Sequence, residues 1–192
     1  MRVNFMDKFC QDYLLKLARR SIDYYLENDF PLKIGSDDLP FKKVSDKRAC
    51  FVTLTKKGQL RGCVGHLEPV LPLYRDVIEN AVAAAFFDTR FWPLTKEELK
   101  DLEIEISILT LPKRLDYKTP NELLSKLDKT KPGVIIKKGV HRATFLPQVW
   151  EELKSPENFL SHLCLKAGLT ADNWKREPLE VFVYDVESFK ED

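Results

Sequence analysis

The sequence offers little sulfur with which to staple a fold. Its four cysteines, Cys10, Cys50, Cys63 and Cys164, are scattered along 192 residues, and none forms a C-x-x-C pair. That is not a disulfide framework, and a chain of this length buries a sizeable core without one. Charge of one sign is also missing. Lys+Arg number 31 and Asp+Glu 30, for a formal net charge of +1, so no global field draws the protein to nucleic acid or anionic lipid. No run approaches the roughly 18 uncharged apolar residues that a membrane span needs. The first residues lack the apolar region of a secretory signal. Phosphate loop, dinucleotide fingerprint, zinc-protease helix and serine elbow are all absent, as are internal repeats and low-complexity tracts. The basic pairs Lys42-Lys43, Lys47-Arg48 and Lys137-Lys138 are interleaved with acids, which reads as solvated faces and not as a nucleic-acid track. The expectation is a cytoplasmic protein with free thiols, no membrane contact, and one domain over residues 1–192 with a smaller internal subdomain.

What is present is a well-punctuated mixture of helix and strand. Phe9, Tyr13, Leu14, Leu17 and Ile22 recur at helical spacing, which predicts an amphipathic helix from Asp7 to about Glu27. Asn28 to Lys47 carries Pro31, Gly35 and Pro40 and reads as an irregular connection. Ala49–Thr55 and Leu60–Leu67 are β-rich runs around Lys57-Gly58, the pattern of a hairpin turning near Lys56–Gln59. Pro72 to Phe87 is helical, with Ala83-Ala84-Ala85 small enough for another backbone to approach. Thr95 and Glu98 match a capping box. Leu102–Leu109 alternates cleanly, with Glu103, Glu105 and Ser107 off the apolar face. Thr119-Pro120-Asn121-Glu122 opens a helix. Gly133–Ile136 and Ala143–Leu146 flank a turn over Lys137–Arg142, which leaves His141 in solvent. Short helices follow Pro147, Ser155 and Thr170, and Glu180–Glu187 forms a last strand. Antiparallel-looking strand pairs separated by helices of uneven length make this an α+β chain.

The segment Leu60-Arg61-Gly62-Cys63-Val64-Gly65 carries the most chemistry. Gly62 and Gly65 strip side chains from both flanks of Cys63, so a ligand or another backbone can come close. In an extended segment Arg61 and Cys63 share a face. A guanidinium beside a thiol enriches the thiolate, the nucleophilic form. In the alternative reading Cys63 is a small packed hydrophobe and the glycines relieve crowding against the alanine-rich helix. His66 serves Cys63 as a base only if the strand bends near Gly65, because residues three apart in a straight strand point to opposite faces. Cys63 and His66 joined to His162 and Cys164 make a poor metal set, since residues two apart on a helix diverge; no metal or cofactor is expected. Asp88 and Arg90 read as a local ion pair or as contacts to a polar ligand. Asn80, in an apolar stretch, either pins a neighbouring loop or reads a ligand.

The run Ala49-Cys-Phe-Val-Thr-Leu-Thr-Lys-Lys-Gly-Gln-Leu-Arg-Gly-Cys-Val-Gly65 resembles the signature of the AMMECR family, whose hallmark is Leu-Arg-Gly-Cys-Ile-Gly, with Val64 in the isoleucine place. Asn80-Ala81, Ala84-Ala85-Phe86, Asp88-Thr-Arg90-Phe91, Thr144-Phe-Leu-Pro147-Gln148-Val149 and Lys166-Ala167-Gly168 also look like family blocks, so the resemblance runs from about Phe9 to Phe189. It implies two antiparallel sheets with packed helices, a larger part holding both termini, a smaller part, and a cleft between them. It implies no established activity. Prokaryotic members resemble one component of a proposed system with a Memo-like protein and a radical S-adenosylmethionine enzyme as partners, acting on a nucleobase or similar small molecule. The family usually carries a small polar residue where His66 stands. On this reading Cys63 and Arg61 are the candidate catalytic residues, and Gly62, Gly65, Asn80, Asp88 and Arg90 the candidate ligand contacts. A non-catalytic ligand- or partner-binding module is the alternative.

Overall fold

A computed structural model describes residues 6–191. The chain divides into two compact units, one running to Thr110 and resuming at Glu187, the other spanning Leu111–Val186. Among the described residues no helix is long and apolar enough to cross a membrane.

The larger unit starts with helix α1 (Lys8–Asn28). The Asp7 side chain caps it by accepting from the Cys10 N–H at 3.0 Å, and Asp29 ends it in the left-handed region at φ 60°. Strands β1 (Cys50–Lys56) and β2 (Gln59–Gly65) form the expected hairpin. Lys57 and Gly58 both have positive φ, 52° and 76°, as a two-residue turn between right-twisted strands requires. Helix α2 (Leu73–Phe86) and strand β3 (Leu102–Leu109) follow, and β8 (Val186–Lys190) completes a sheet of order β2-β1-β3-β8. One sheet face carries Val52, Leu54, Ile104 and Ile106 into a core shared with Leu14, Ala18, Ile22, Val77 and Ala81. Among the described residues no further strand lies beside the β2 edge, and that edge positions the site described below.

The smaller unit pairs β4 (Lys113–Arg114), β7 (Glu180–Tyr184), β5 (Gly133–Lys138) and β6 (His141–Phe145) in that spatial order. Helices α3 (Pro120–Thr130), α4 (Pro156–Lys166) and α5 (Asn173–Arg176) accompany them. Its core includes Leu123, Ile136, Leu163 and Trp174, and Trp150 stacks on Phe159 with centroids 3.8 Å apart.

Three local expectations change. The second hairpin is tighter than its composition suggests: Lys138 pairs with His141 and the turn is only Gly139-Val140. His141 is therefore a half-buried strand residue whose Nδ1 lies 2.9 Å from the Ala167 carbonyl, not a solvent-exposed turn residue. The last apolar run is not one strand. It breaks at Asp185 into β7 and β8, which belong to different sheets. The capping box holds, with the Thr95 N–H donating to Glu98 Oε2 at 3.2 Å, and the short helix it opens is a 3₁₀ helix over Lys96–Asp101.

Candidate functional site

Two packing constraints fix the course of β2. The register slips between Leu54, opposite Gly62, and Thr55, opposite Leu60, so Arg61 is the extra residue of a bulge. A Cβ on Gly62 would lie 2.1 Å from the Ala84 carbonyl oxygen of α2. The glycine is needed because a helix backbone occupies that space. A Cβ on Gly65 would lie 2.4 Å from the Phe51 ring, its cross-strand neighbour. Both glycines thus admit another part of the protein, the second of the two options their composition allows.

Cys63 stands opposite Thr53, and its Sγ accepts from Thr53 Oγ1 at 3.4 Å. Of the four cysteines it alone is not buried. An edge strand leaves peptide groups without a ladder partner, and here the segment after α2 supplies them. The Cys63 N–H donates to Asp88 Oδ2 at 2.9 Å, and Arg90 Nη2 donates to the Cys63 carbonyl at 3.2 Å. Asp88 and Arg90 are themselves bonded at 2.9 Å and 2.6 Å. Arg90 chiefly, and then the Cys63 and Arg90 backbone N–H groups, hold the nearly buried Asp88 carboxyl well below the usual carboxylate range. Asp88 in turn raises the guanidinium of Arg90, and the charge of Cys63 adds to that rise. The cation bonded to the Cys63 peptide is therefore Arg90.

Arg61 lies in a different set of contacts. Its Nε and Nη2 donate to the two oxygens of Glu98 at 3.1 Å and 3.0 Å, and Nη2 also donates to the Trp92 carbonyl at 2.9 Å. Lys56 Nζ reaches the same carboxylate at 2.9 Å. Arg61 first, then Lys56 and the Thr95 N–H, hold Glu98 down at about 2. Arg61, expected from the shared strand face to act on the thiol, directs its hydrogen bonds to Glu98 and Trp92 instead. The guanidinium makes no hydrogen bond to Cys63 and serves to tie the bulge to the 3₁₀ turn. Its Nη1 is buried without a protein partner. Phe91 takes a guanidinium from both sides of this region, with Arg61 at 5.9 Å and Arg90 at 5.5 Å from the ring centroid.

A second polar cluster sits where β1 begins. Asn80, 1% exposed, donates to the Cys50 carbonyl at 3.2 Å and so pins the strand. Asp76, also 1% exposed, accepts the Cys50 N–H at 2.8 Å on one oxygen and lies 2.6 Å from His66 Nδ1 on the other. The imidazole is half exposed and directed to α2. Burial, and then the Asp76 carboxylate, push the Cys50 thiol well up, which leaves it unreactive. Sequence reasoning missed Asp76, Thr53 and Glu98 as partners. Asp76 had a usable signal: it falls on the same helical stripe as Leu73, Val77, Asn80 and Ala84, so its carboxylate faces the core. For metal chemistry, the described residues include no group of three or more His, Cys, Asp or Glu able to hold an ion. His162 Nδ1 lies against the Asn158 carbonyl at 2.9 Å and Cys164 is buried.

A mixed fold with an antiparallel sheet edged by a Leu-Arg-Gly-Cys-Val-Gly strand defines the class. The AMMECR1 family model matches residues 15–189, and the chain belongs to that family. Among relatives, Protein MK0488 of Methanopyrus kandleri is 37% identical over 94% of this chain and 88% of its own length. A protein of Thermofilum pendens is 40% identical over 93% and 88%. The crystal structure of the uncharacterized protein PH0010 from Pyrococcus horikoshii superposes with a TM-score of 0.82 at 34% identity, covering 97% of this chain and 94% of that one. These names specify no activity.

Proposed function

We propose that this AMMECR-family protein is a thiol-dependent enzyme or enzyme component acting on a small molecule, with Cys63 as the nucleophile. One observation carries the reading: Cys63 is the single cysteine outside the buried interior, and its peptide group is fixed on both sides by Asp88 and Arg90. Thr53 Oγ1 donates to the sulfur and so orients the side chain. Arg90 holds the carbonyl of the same residue. Thr53 and Arg90, which bond the sulfur and the peptide carbonyl, take the supporting role that the sequence alone gives to Arg61. The thiol proton leaves to solvent, and the thiolate adds to an electrophilic, doubly bonded carbon of the substrate; the C–S bond forms as the π bond breaks, and its electron pair moves to the far atom, which takes a proton from solvent. The Memo-like and radical S-adenosylmethionine partners implied by the family resemblance belong to this reading as its proposed setting.

Alkylation of the intact protein with iodoacetamide across pH 6–9, resolved by peptide mass spectrometry, tests it. Cys63 should react at least about tenfold faster at pH 7 than a model thiol, and far faster than Cys10, Cys50 or Cys164. A rate for Cys63 no higher than the model thiol removes the catalytic reading. What then stands is a non-catalytic binding module, favoured by the packing roles of Gly62, Gly65 and Arg61 in shaping the edge of β2.

A further inference from the structure

The larger unit has a concavity of about 420 Å³, not lined by Cys63, between the segment Pro31–Ile34 and the first two turns of α2. Ligand sites of this size are apolar inside with a few polar groups at fixed places. Here Leu32, Ile34, Tyr74 and Ile78 supply the apolar wall, and Leu32, Tyr74 and Ile78 are themselves nearly buried. The rim carries Lys33, Arg75 and Glu79. Arg75 is pre-shaped. Its Nε donates to the Tyr74 hydroxyl at 3.1 Å, and its guanidinium carbon stands 5.8 Å from the Tyr74 ring centroid. Neither Nη of Arg75 nor the Lys33 ammonium has an ion-pair or hydrogen-bond partner among the described residues. Glu79, one turn on from Arg75, forms no ion pair with it either.

From these features we infer a second binding site, for a small amphipathic carboxylate whose apolar body lies on Leu32, Ile34 and Ile78 and whose head is held by Arg75 and Lys33. A held guanidinium with both Nη groups free matches the two oxygens of a carboxylate. The N-terminal end of α2, beside the same rim, adds a favourable dipole. Fixing Nε on a buried tyrosine removes much of the ordering cost that a free arginine side chain meets on binding. Glu79 opposes the anion and sets its affinity below what the two cations alone would give.

Octanoate and its neutral counterpart octanol, titrated into the ¹⁵N-labelled full chain and followed by amide shifts, test the site. Octanoate should shift Leu32, Lys33, Arg75, Ile78 and Glu79 with saturation, and should bind at least about fivefold tighter than octanol. Arg75→Ala should weaken octanoate about tenfold and leave octanol unchanged. Glu79→Gln should tighten octanoate two- to threefold. These residues are rim positions on a folded surface, so folding of the variants is checked by their unshifted amides elsewhere. Equal affinity for acid and alcohol would show a groove without an anion site. Absence of saturating shifts at these five amides, or octanoate binding unaffected by Arg75→Ala, overturns the proposal.

Discussion

Glu98 gives the sharpest physical test of what Arg61 is for. Its carboxyl drops from an ordinary 4.5 to about 2 in the fold, with Arg61 the largest cause. At about 1.4 kcal/mol per unit the gap corresponds to a ceiling of about 3 kcal/mol. The Glu98 side chain is 18% exposed and that of Lys56 34%, so screening lowers the realistic figure to about 2 kcal/mol. The sign follows from the depressed value. A carboxylate more acidic in the folded state stabilises fully above the unfolded value, near pH 4.5, and loses that contribution as pH falls towards 2. Urea unfolding of the wild type and Glu98→Gln at pH 7, 5, 4 and 3 measures it. At pH 7 and 5 the variant should be less stable by about 2 kcal/mol. By pH 3 the difference should have shrunk to about half or less. The other acidified carboxylates, Asp88 among them, titrate in both proteins and cancel in the comparison. A gap that stays constant from pH 5 to pH 3 would refute the ion-pair account. So would an Arg61→Gln variant whose stability gap to wild type does not narrow over the same range.

Other substitutions probe the neighbouring contacts. Gly62→Ala places a methyl 2.1 Å from a helix carbonyl and should cost about 2–4 kcal/mol in denaturant unfolding; a loss under about 1 kcal/mol would mean that β2 does not press on α2. Asp88→Ala frees Arg90 and leaves the Cys63 N–H without its acceptor, so stability should fall by about 1–3 kcal/mol and amide exchange at Cys63 should quicken; unchanged exchange would count against the clamp. Asp76→Leu should cost about 2–3 kcal/mol through the orphaned Cys50 N–H, whereas His66→Ala, at a half-exposed imidazole, should cost under about 1 kcal/mol; equal costs would place the weight of the cluster on the imidazole instead. Thr53→Val, which keeps the shape and removes the donor to Cys63 Sγ, should slow alkylation of Cys63 several-fold with little change in stability, and an unaltered rate would remove Thr53 from the site.

Elements declared by repeating local signals were legible in the chain. The Lys57-Gly58 turn follows from a glycine between two β-rich runs, with Lys57 drawn into positive φ beside it, and β3 from strict alternation. The capping box at Thr95 likewise needed nothing beyond its four residues. Errors arose where geometry depends on a partner far along the chain. The final apolar run contains no breaker residue, yet Asp185 separates strands of two sheets because each half finds its pairing elsewhere. His141 looked exposed because it follows a lysine-rich turn, but its register opposite Lys138 carries it to the Ala167 carbonyl.

At the site the same distinction explains the exchange of roles between Arg61 and Arg90. Strand alternation is a sound guide to which side chains share a face, but it says nothing about a long side chain's far end. A guanidinium on a flexible stem goes to the strongest acceptor within reach. For Arg61 that acceptor is Glu98, 37 residues away in sequence and already positioned by its own cap. The bulge supplies the reach by making Arg61 an extra residue at the strand edge. The edge left open at Cys63 then requires a donor and an acceptor from outside the sheet, and the turn after α2 contributes both at once as Asp88 and Arg90. A Leu-Arg-Gly-Cys-Val-Gly strand thus divides its work. The arginine and the glycines hold the edge in place against the 3₁₀ turn, the helix and Phe51. The cysteine is the residue whose side chain those contacts leave uncommitted, apart from a single hydroxyl. Any chemistry at this edge is for that reason expected to track substitutions at Thr53 and Arg90 more closely than the conservative replacement of Arg61.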